Sequence, residues 1–163
     1  MKKEYIQFYA DIANLAYVRE FLRNIGEYFN LTGNQIYSLQ LAVEESITNI
    51  IRHGYTGRSR GKIRVEVRIR YFKVIVRIID RGVRFDPRQV GKPNLLEYVQ
   101  KSKAGGLGIM MIRNLTDAID YRVTYRGNEL YLTKYRKNVA FYNLFKRYRE
   151  FIRFCRRILP LHP

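Results

Sequence analysis

The chain contains very little cysteine and histidine, and this scarcity excludes several kinds of site. The single Cys155 has no partner for an internal disulfide and cannot build a cysteine-rich metal site. The two histidines, His53 and His162, lie far apart in the sequence, which argues against a zinc site built on histidine.

Long apolar runs are missing as well. No stretch is long enough to span a bilayer, and the opening residues, MKKEYIQFYAD, are basic but lack the apolar segment of a signal peptide. We therefore expect a cytoplasmic protein. With 163 residues, of which 47% are hydrophobic, the chain is expected to form one domain, or one domain with an appendage.

Acidic residues are scarce beside basic ones. The chain has 14 Asp and Glu against 31 Lys and Arg, which gives a formal net charge of +17. A charge of this size indicates an acidic partner, which is a nucleotide, a nucleic acid, an anionic lipid or an acidic protein surface. Charge alone does not choose among these classes.

The spacing of apolar residues predicts a mixture of helices and strands. Lys62–Tyr71 alternates strictly and indicates a half-buried strand with a basic outer face. No long helix fits between it and the next apolar run, Val74–Ile79, so we expect these two strands to pair antiparallel. The other predicted elements are a strand over Lys3–Ala10, a helix capped by Asn14 that ends near Phe29, a helix opened by a Thr32–Gln35 capping box, and a hairpin of Ala118–Arg126 and Glu129–Arg136 that turns at Gly127-Asn128.

The helix after Thr32 carries the most informative pattern. In LAVEESITNIIRHGY, the residues Glu45, Asn49 and His53 recur every fourth position, which places a carboxylate, a carboxamide and an imidazole in one row. A solvated polar face would give the same spacing. Gly54 is expected to end the helix. The predicted core side contains Ile36, Leu39, Val43, Ile47 and Ile50, and the small residues Ala42 and Ser46 are expected to let a ligand approach beside the row.

Two glycine-bearing stretches follow this helix. Asp80 and Gly82 come at the end of an apolar strand, where they either approach a ligand or form an ordinary turn. Gly105-Gly106-Leu107-Gly108 opens a helix from Ile109 to about Leu115, and free N–H groups at such a point favour phosphate. Between them, Arg88–Ala104 has the composition of a mobile lid, in which Lys101 and Lys103 either reach a phosphate or are solvated.

The end of the sequence predicts a basic amphipathic helix. Apolar residues keep helical spacing from Ala140 to Leu159, and Lys and Arg fill much of the remainder. Such a helix can pack on the domain, dock a partner or lie on an anionic membrane surface. Stacking by its tyrosines on nucleic acid is conceivable, but no recognised nucleic-acid motif supports it, so nucleic acid is not an expected partner.

In combination and in this order, the three motifs resemble the ATP-binding fold shared by gyrase, a heat-shock chaperone, histidine kinases and the MutL repair proteins, known as GHKL or Bergerat ATPases. The motifs are Glu45-xxx-Asn49-xxx-His53-Gly54, Asp80-x-Gly82 and Gly105-Gly106-Leu107-Gly108. Their details are most similar to the anti-sigma-factor serine/threonine kinases. The resemblance covers about residues 5–135.

The resemblance implies a role for each matched residue. Asn49 would be a Mg²⁺ ligand, and Glu45 would be the general base that takes a proton from the attacking hydroxyl. Asp80 would accept a hydrogen bond from the adenine amino group, and Gly82 would let the nucleotide lie close to the chain. The phosphate-binding residues implied in this way are Gly105, Gly106, Leu107 and Gly108, with Lys101 or Lys103 closing over the terminal phosphate.

Two positions depart from the resembled pattern. Arg84 stands where many members of the superfamily have a second glycine after Gly82, which weakens the implied nucleotide binding. Asn128 follows Gly127 where a Gly-Thr pair is often seen, which alters an implied water-mediated contact to adenine.

The resemblance also implies an architecture and an activity. The fold would be α+β, a two-layer α/β sandwich with a mixed, mostly antiparallel sheet, helices on one face, and a C-terminal amphipathic helix. Residues 1–136 would form the ATPase domain and residues 137–163 the basic extension. The implied function is an ATP- and Mg²⁺-dependent serine/threonine protein kinase of a bacterial partner-switching module.

Its implied substrate is a STAS-like anti-sigma-factor antagonist, and the resemblance also admits sequestration of a sigma factor and a homodimer. The alternative is an ATP-binding regulatory module without catalysis, acting through the basic C-terminal helix.

Overall fold

The computed structural model describes residues 3–55, 61–70, 72–89 and 107–136, and of Leu107 the backbone only. The predicted C-terminal helix and nearly all of the predicted lid lie outside these ranges. The elements in chain order are β1 (Lys3–Tyr9), a 3₁₀ turn (Ile12–Asn14), α1 (Leu15–Tyr28), α2 (Gly33–Asn49), a π-helical turn (Ile50–Gly54), β2 (Lys62–Arg70), β3 (Lys73–Asp80), α3 (Leu107–Leu115), β4 (Ala118–Thr124) and β5 (Gly127–Tyr135).

The five strands form one sheet in the order β1-β2-β3-β5-β4. Each of the four pairings in the described ranges is antiparallel, including the predicted pairing of β2 with β3. Because β5 rather than β4 lies beside β3, the register sets Asp80 opposite Asn128. This sheet with helices confirms the predicted α+β class.

The hydrophobic core lies between one face of the sheet and the helices. Alternate residues of β2 and β3 point into it, as the strict alternation of β2 predicted, and α1, α2 and α3 supply the other side. Burial of each large aliphatic side chain stabilises the fold by about 1.5–3 kcal/mol before entropy is counted. The most deeply buried members are Val18, Val43, Ile47, Ile63, Val65, Val74, Val76, Ile78, Ile112 and Leu132.

The predicted start of α2 is confirmed and the predicted cap of α1 is wrong. Thr32 Oγ1 accepts a hydrogen bond from Gln35 N at 3.3 Å, and Thr32 N donates to Gln35 Oε1 at 3.0 Å. Asn14 makes no side-chain cap, because its backbone is already helical and its side chain donates to Tyr9 O. The cap belongs instead to Asp11, which accepts from Ala13 N ahead of the 3₁₀ turn.

Two predicted chain reversals also differ from the structure. The turn between β4 and β5 consists of Tyr125 and Arg126, while Gly127 already pairs with Thr124. Gly127 has φ +120°, a backbone conformation that suits glycine, and it lies against the carbonyl oxygen of Asp80. Gly54 does end the second helix, but through a π-helical turn rather than directly.

The sheet face that points away from the helices was predicted to be basic, and its centre instead buries carboxylates. Glu66 and Glu129 are 1% and 2% exposed, and Arg77 lies between them on the neighbouring strand. Lys3 and Arg64 also approach Glu66, at 3.1 Å and 3.0 Å. The alternation of charges in β2 did not reveal this network, because its partners come from other strands.

None of the helices in the described ranges is both long and apolar enough to cross a lipid bilayer.

Candidate functional site

A pocket opens on the helix side of the sheet, between the end of α2, the end of β3 and the start of α3. Apolar side chains including Ile50, Ile109 and Leu130 line it together with a few polar groups, which is the usual composition of a small-molecule site. Its enclosed volume is about 40 Å³, enough for only a few water molecules. Phe85, which also lines the pocket, is exposed.

At one end of the pocket, α2 presents a carboxylate and an amide in contact. Asn49 Nδ2 donates to Glu45 Oε1 at 3.2 Å, as expected for residues one helical turn apart. This bond uses the amide nitrogen of Asn49, so its amide oxygen stays available for a cation. Oxygen is the ligand that Mg²⁺ prefers, and Mg²⁺ commonly takes only one or two ligands from the protein.

The start of α3 lies directly against this pair. A Cβ added at Gly108 would come within 1.7 Å of Glu45 Oε1 and 2.5 Å of its carboxyl carbon. Glycine at this position leaves room for the Glu45 carboxylate beside the N-terminal end of α3. The structure thus brings Glu45, Asn49 and Gly108 together, as the motifs predicted. The described residues contain no cluster of His, Cys, Asp and Glu that could hold a metal on its own, so a cation here would depend on Asn49 and on phosphate oxygens.

At the other end of the pocket, Asp80 is 5% exposed and held by hydrogen bonds on one oxygen. Its Oδ1 accepts from Gly82 N at 2.7 Å and from Asn128 Nδ2 at 3.1 Å. Burial raises the pKa of Asp80, and these two hydrogen bonds oppose that rise. Both bonds fall on Oδ1, and no described residue donates to Oδ2, which could accept a hydrogen bond from a ligand such as an amino-substituted base.

Asn128 and Tyr121 extend this arrangement into a relay. Asn128 is 4% exposed, and its Nδ2 also donates to Gly82 O at 3.1 Å. Tyr121 Oη donates to Asn128 Oδ1 at 3.0 Å and accepts from Phe85 N at 3.3 Å. Sequence reasoning noted Asn128 as a departure and missed Tyr121 as a site residue. The signal that would have found both is the β3–β5–β4 register, which the sequence does not specify.

Gly82 touches the backbone of Gly54. A Cβ added at Gly82 would lie 2.7 Å from Gly54 O, and Val83 N donates to that same oxygen at 2.9 Å. The small size of Gly82 therefore serves a contact between the end of α2 and the loop after β3. Tyr55 adds a second link, because its hydroxyl accepts from Arg81 N at 3.0 Å.

The other residues predicted around the row of Glu45, Asn49 and His53 differ in burial and in their position relative to the pocket. His53 and Ser46 line the pocket, although Ser46 is 2% exposed and its hydroxyl donates to Ala42 O. Ala42 is fully buried in the core, so the prediction that a ligand approaches there is wrong. Of the five residues predicted to lie in the core, Ile36 and Ile50 are only partly buried. The other three, Leu39, Val43 and Ile47, are buried.

The loop after β3 is anchored by charged groups. Arg88 donates to both oxygens of Asp86 and to Asp120, and the Arg88 hydrogen bond lowers the pKa of Asp86. Arg113 of α3 donates to the carbonyl oxygens of Pro87 and Arg88. Arg84 occupies the position where the resembled pattern has a glycine. Its side chain is exposed, and the pocket is lined by the adjacent Val83 and Phe85 instead. The predicted phosphate residues Lys101, Lys103, Gly105 and Gly106 lie outside the described residues, as does the side chain of Leu107.

Comparison with known proteins gives consistent results. Residues 8–134 match the sequence profile of the histidine kinase-like ATPase domain. The serine-protein kinase RsbW of Listeria innocua is 35% identical over 105 residues, which are 61% of this chain and 66% of that protein. The anti-sigma F factor of Clostridium beijerinckii is 28% identical over 115 residues, which are 71% of this chain and 80% of that protein. The chain thus spans just under two thirds of the length of the Listeria kinase.

A solved structure shows the same fold. The crystal structure of the RsbU and RsbW domains of a Mycobacterium tuberculosis protein superposes with a TM-score of 0.58 at 21% sequence identity. The superposition covers 82% of this chain and 32% of the other.

Proposed function

Since the chain belongs to the histidine kinase-like ATPase domain family, we propose that it is an ATP- and Mg²⁺-dependent serine/threonine protein kinase of a partner-switching module. Its substrate would be a STAS-like anti-sigma-factor antagonist, and a sigma factor would be a further partner. The names of the similar proteins, a serine-protein kinase and an anti-sigma F factor, support this choice. The observation that carries it is the contact of Glu45 with Asn49 and Gly108 at one end of a pocket that holds Asp80 at the other.

Each end of the pocket would bind a different part of the ATP molecule. Asp80 Oδ2 would accept a hydrogen bond from the adenine amino group, while Asn128 and Gly82 hold Oδ1 in place. Asn49 would offer its amide oxygen to Mg²⁺, which when bound neutralises charge on the phosphates. The N-terminal end of α3 at Gly108 would favour the same anionic groups.

Glu45 would act on the protein substrate. Its carboxylate would take the proton of the attacking serine or threonine hydroxyl as the oxygen bonds to the terminal phosphorus and ADP leaves with the displaced bond electrons. The hydrogen bond from Asn49 to Oε1 would hold this carboxylate beside the cation ligand.

Nucleotide binding is tested by calorimetric titration of Mg-ATP into the native protein and into Asp80→Asn. Burial raises the pKa of Asp80, so folding disfavours its charged form, and this penalty is present at neutral pH and disappears only as the pH falls through the raised pKa. Asn in its place removes the penalty, so the variant should be at least as stable as the native chain while ATP binding is lost. Undiminished ATP binding by this folded variant would reject Asp80 as the base-recognising group.

Catalysis is tested separately by transfer of labelled phosphate from ATP to a purified STAS-like antagonist protein. Glu45→Gln keeps an oxygen for Asn49 to donate to and should reduce transfer by at least about a hundredfold, while ATP still binds. Glu44→Gln is the matched control, because Glu44 of the same helix faces α1, where it forms an ion pair with Arg19 at 2.7 Å. Equal transfer by both variants and the native protein would reject Glu45 as the general base, and no transfer by the native protein would favour the non-catalytic regulatory alternative.

A further inference from the structure

A second, larger cavity lies on the face of the sheet opposite the helices, and the proposed kinase activity does not use it. Its volume is about 630 Å³, against about 40 Å³ for the pocket at Asp80 on the same measure. Asp80, at the end of the strand between them, is the only residue in both linings within the described ranges. The carboxylate of Asp80 is bonded to Gly82 and Asn128, so it belongs to the smaller pocket.

This outer groove is lined by five cationic side chains from four parts of the chain. They are Lys3 of β1, Lys62 and Arg64 of β2, Arg81 after β3, and Arg126 of the β4–β5 turn. The carboxylate on its floor, Glu66, is 1% exposed and is already bridged by Lys3, Arg64 and Arg77. The open surface of the groove therefore presents mainly positive charge.

Exposed tyrosines lie against three of these lining cations, although their own rings are not part of the described lining. Arg64 lies 3.7 Å from the ring centre of Tyr5, and Lys62 lies 5.5 Å from that of Tyr9. Arg126 stacks at 5.3 Å on Tyr125 and donates from Nε to its hydroxyl. More than half of each tyrosine is exposed, at 55%, 58% and 87% for Tyr5, Tyr9 and Tyr125.

The combination of cations and exposed tyrosines distinguishes between an acidic peptide and single-stranded nucleic acid as the partner. An acidic peptide would use the five cations but would leave three exposed aromatic rings without a role. Single-stranded nucleic acid uses both features, because its phosphates pair with Lys and Arg while its unpaired bases stack on aromatic faces. We propose that the outer groove binds single-stranded nucleic acid, with phosphates on Lys62, Arg81 and Arg126 and bases on Tyr9 and Tyr125. This would place a second anionic ligand on the side of the sheet opposite the nucleotide pocket, and it would use part of the charge of +17.

The test measures fluorescence anisotropy of short labelled oligouridylate and oligothymidylate, neither of which forms duplexes. Duplex DNA and an oligoglutamate peptide of similar charge serve as competitors, and each titration is repeated at several KCl concentrations. The single strands should bind more tightly than either competitor. A preference between the two oligonucleotides would identify RNA or DNA as the source, and both results support the groove.

A pair of double variants gives a matched comparison. Tyr125→Ala with Arg126→Ala removes one ring and one cation from the groove and should weaken single-strand binding at least about tenfold. Tyr17→Ala with Arg23→Ala removes the same groups from α1, where Tyr17 is 73% exposed, and should leave the affinity within about twofold. Arg126→Ala alone should lower the slope of log affinity against log salt by about 0.7.

Three outcomes would overturn the proposal. One is an equal loss in both double variants, which would show a response to total charge only. Another is equal binding of the glutamate peptide, and the third is equal binding of the duplex, since neither ligand offers unpaired bases. The Tyr125→Ala, Arg126→Ala variant changes no described residue of the kinase pocket lining and should keep full Mg-ATP binding, so this proposal and the proposed kinase activity can fail independently. Circular dichroism melts confirm that each variant is folded.

Discussion

Glu129 offers the sharpest test of the buried network on the outer sheet face. Burial alone would raise the pKa of its carboxyl, but hydrogen bonds from Arg77, Tyr131 and Thr124 outweigh burial and lower that pKa from the ordinary 4.5 to about 2. Tyr131 Oη and Thr124 Oγ1 donate at 2.6 Å and 2.8 Å, and Arg77 donates through both Nε and Nη2. At about 1.4 kcal/mol per pH unit, this lowering stabilises the fold by about 3 kcal/mol at neutral pH.

The perturbation is Glu129→Gln, which keeps the shape and removes the charge. Because the folded-state pKa is lowered, the stabilisation is complete above pH 4.5 and is lost as the pH falls toward about 2. The difference in free energy of unfolding between native protein and variant should therefore be about 3 kcal/mol at pH 7 and should shrink below pH 4.5. For a chain of this size, that corresponds to a fall in Tm of roughly 6–12 °C at pH 7.

Urea unfolding of both proteins from pH 7 down to the acid limit of folding measures this difference. The matched control is Glu20→Gln, which removes one side of an ion pair with Arg23 whose two side chains are 53% and 52% exposed, and which should leave the free energy of unfolding almost unchanged because solvent screens the pair. A native–variant difference that stays constant from pH 7 to pH 3 would refute the assignment of this stabilisation to the ionised carboxylate.

Two further predictions concern the pocket. Gly108→Ala should strongly reduce phosphate transfer, because the new methyl group displaces the Glu45 carboxylate, but it should change the free energy of unfolding little, because this carboxylate ends a flexible side chain and can rotate away. Gly33→Ala, with no atom within 4 Å of the added carbon, should leave transfer unchanged. Undiminished transfer in Gly108→Ala would contradict the close approach of α3 to α2. Asn128→Ala should weaken ATP binding at least about tenfold and cost roughly 2–3 kcal/mol of stability, because Asp80, Gly82 and Tyr121 each lose a partner. Its control is Asn24→Ala, at an exposed position of α1, measured by the same titration and melting experiments. Unchanged ATP affinity in Asn128→Ala would show that Asn128 does not help to recognise the base.

The sequence predicted the elements well where one periodicity dominates. The alternation in β2, the Thr32–Gln35 capping box and the Glu45–Asn49 spacing are local patterns, and the structure contains all three. The cap of α1 failed because two candidate residues, Asp11 and Asn14, lie within one turn, and the choice between them depends on a 3₁₀ turn. Local propensity does not resolve such a competition.

Features that depend on strand register could not be predicted from the sequence. The pairing of Asp80 with Asn128 arises because β5 lies between β3 and β4, and the burial of Glu66 arises because Arg77 pairs opposite it. A buried carboxylate on an outward face looks solvated in the sequence, because its partners are distant in the chain. For the same reason Tyr121 escaped notice as a site residue, although its hydroxyl completes the relay to Asp80.

The backbone contact between Gly54 and Gly82 has a consequence for how the pocket can vary. The two ends of the pocket, at Asn49 and at Asp80, are joined through main-chain atoms at this point, with Val83 N bonded to Gly54 O at 2.9 Å. The separation of the two ends is therefore set largely by main-chain atoms, with the Tyr55 hydroxyl as a second link through Arg81 N. Substitutions around the rim can alter which base enters or how fast it leaves. Under the proposed function, the distance between the sites for base and phosphate would be set by the path of the main chain.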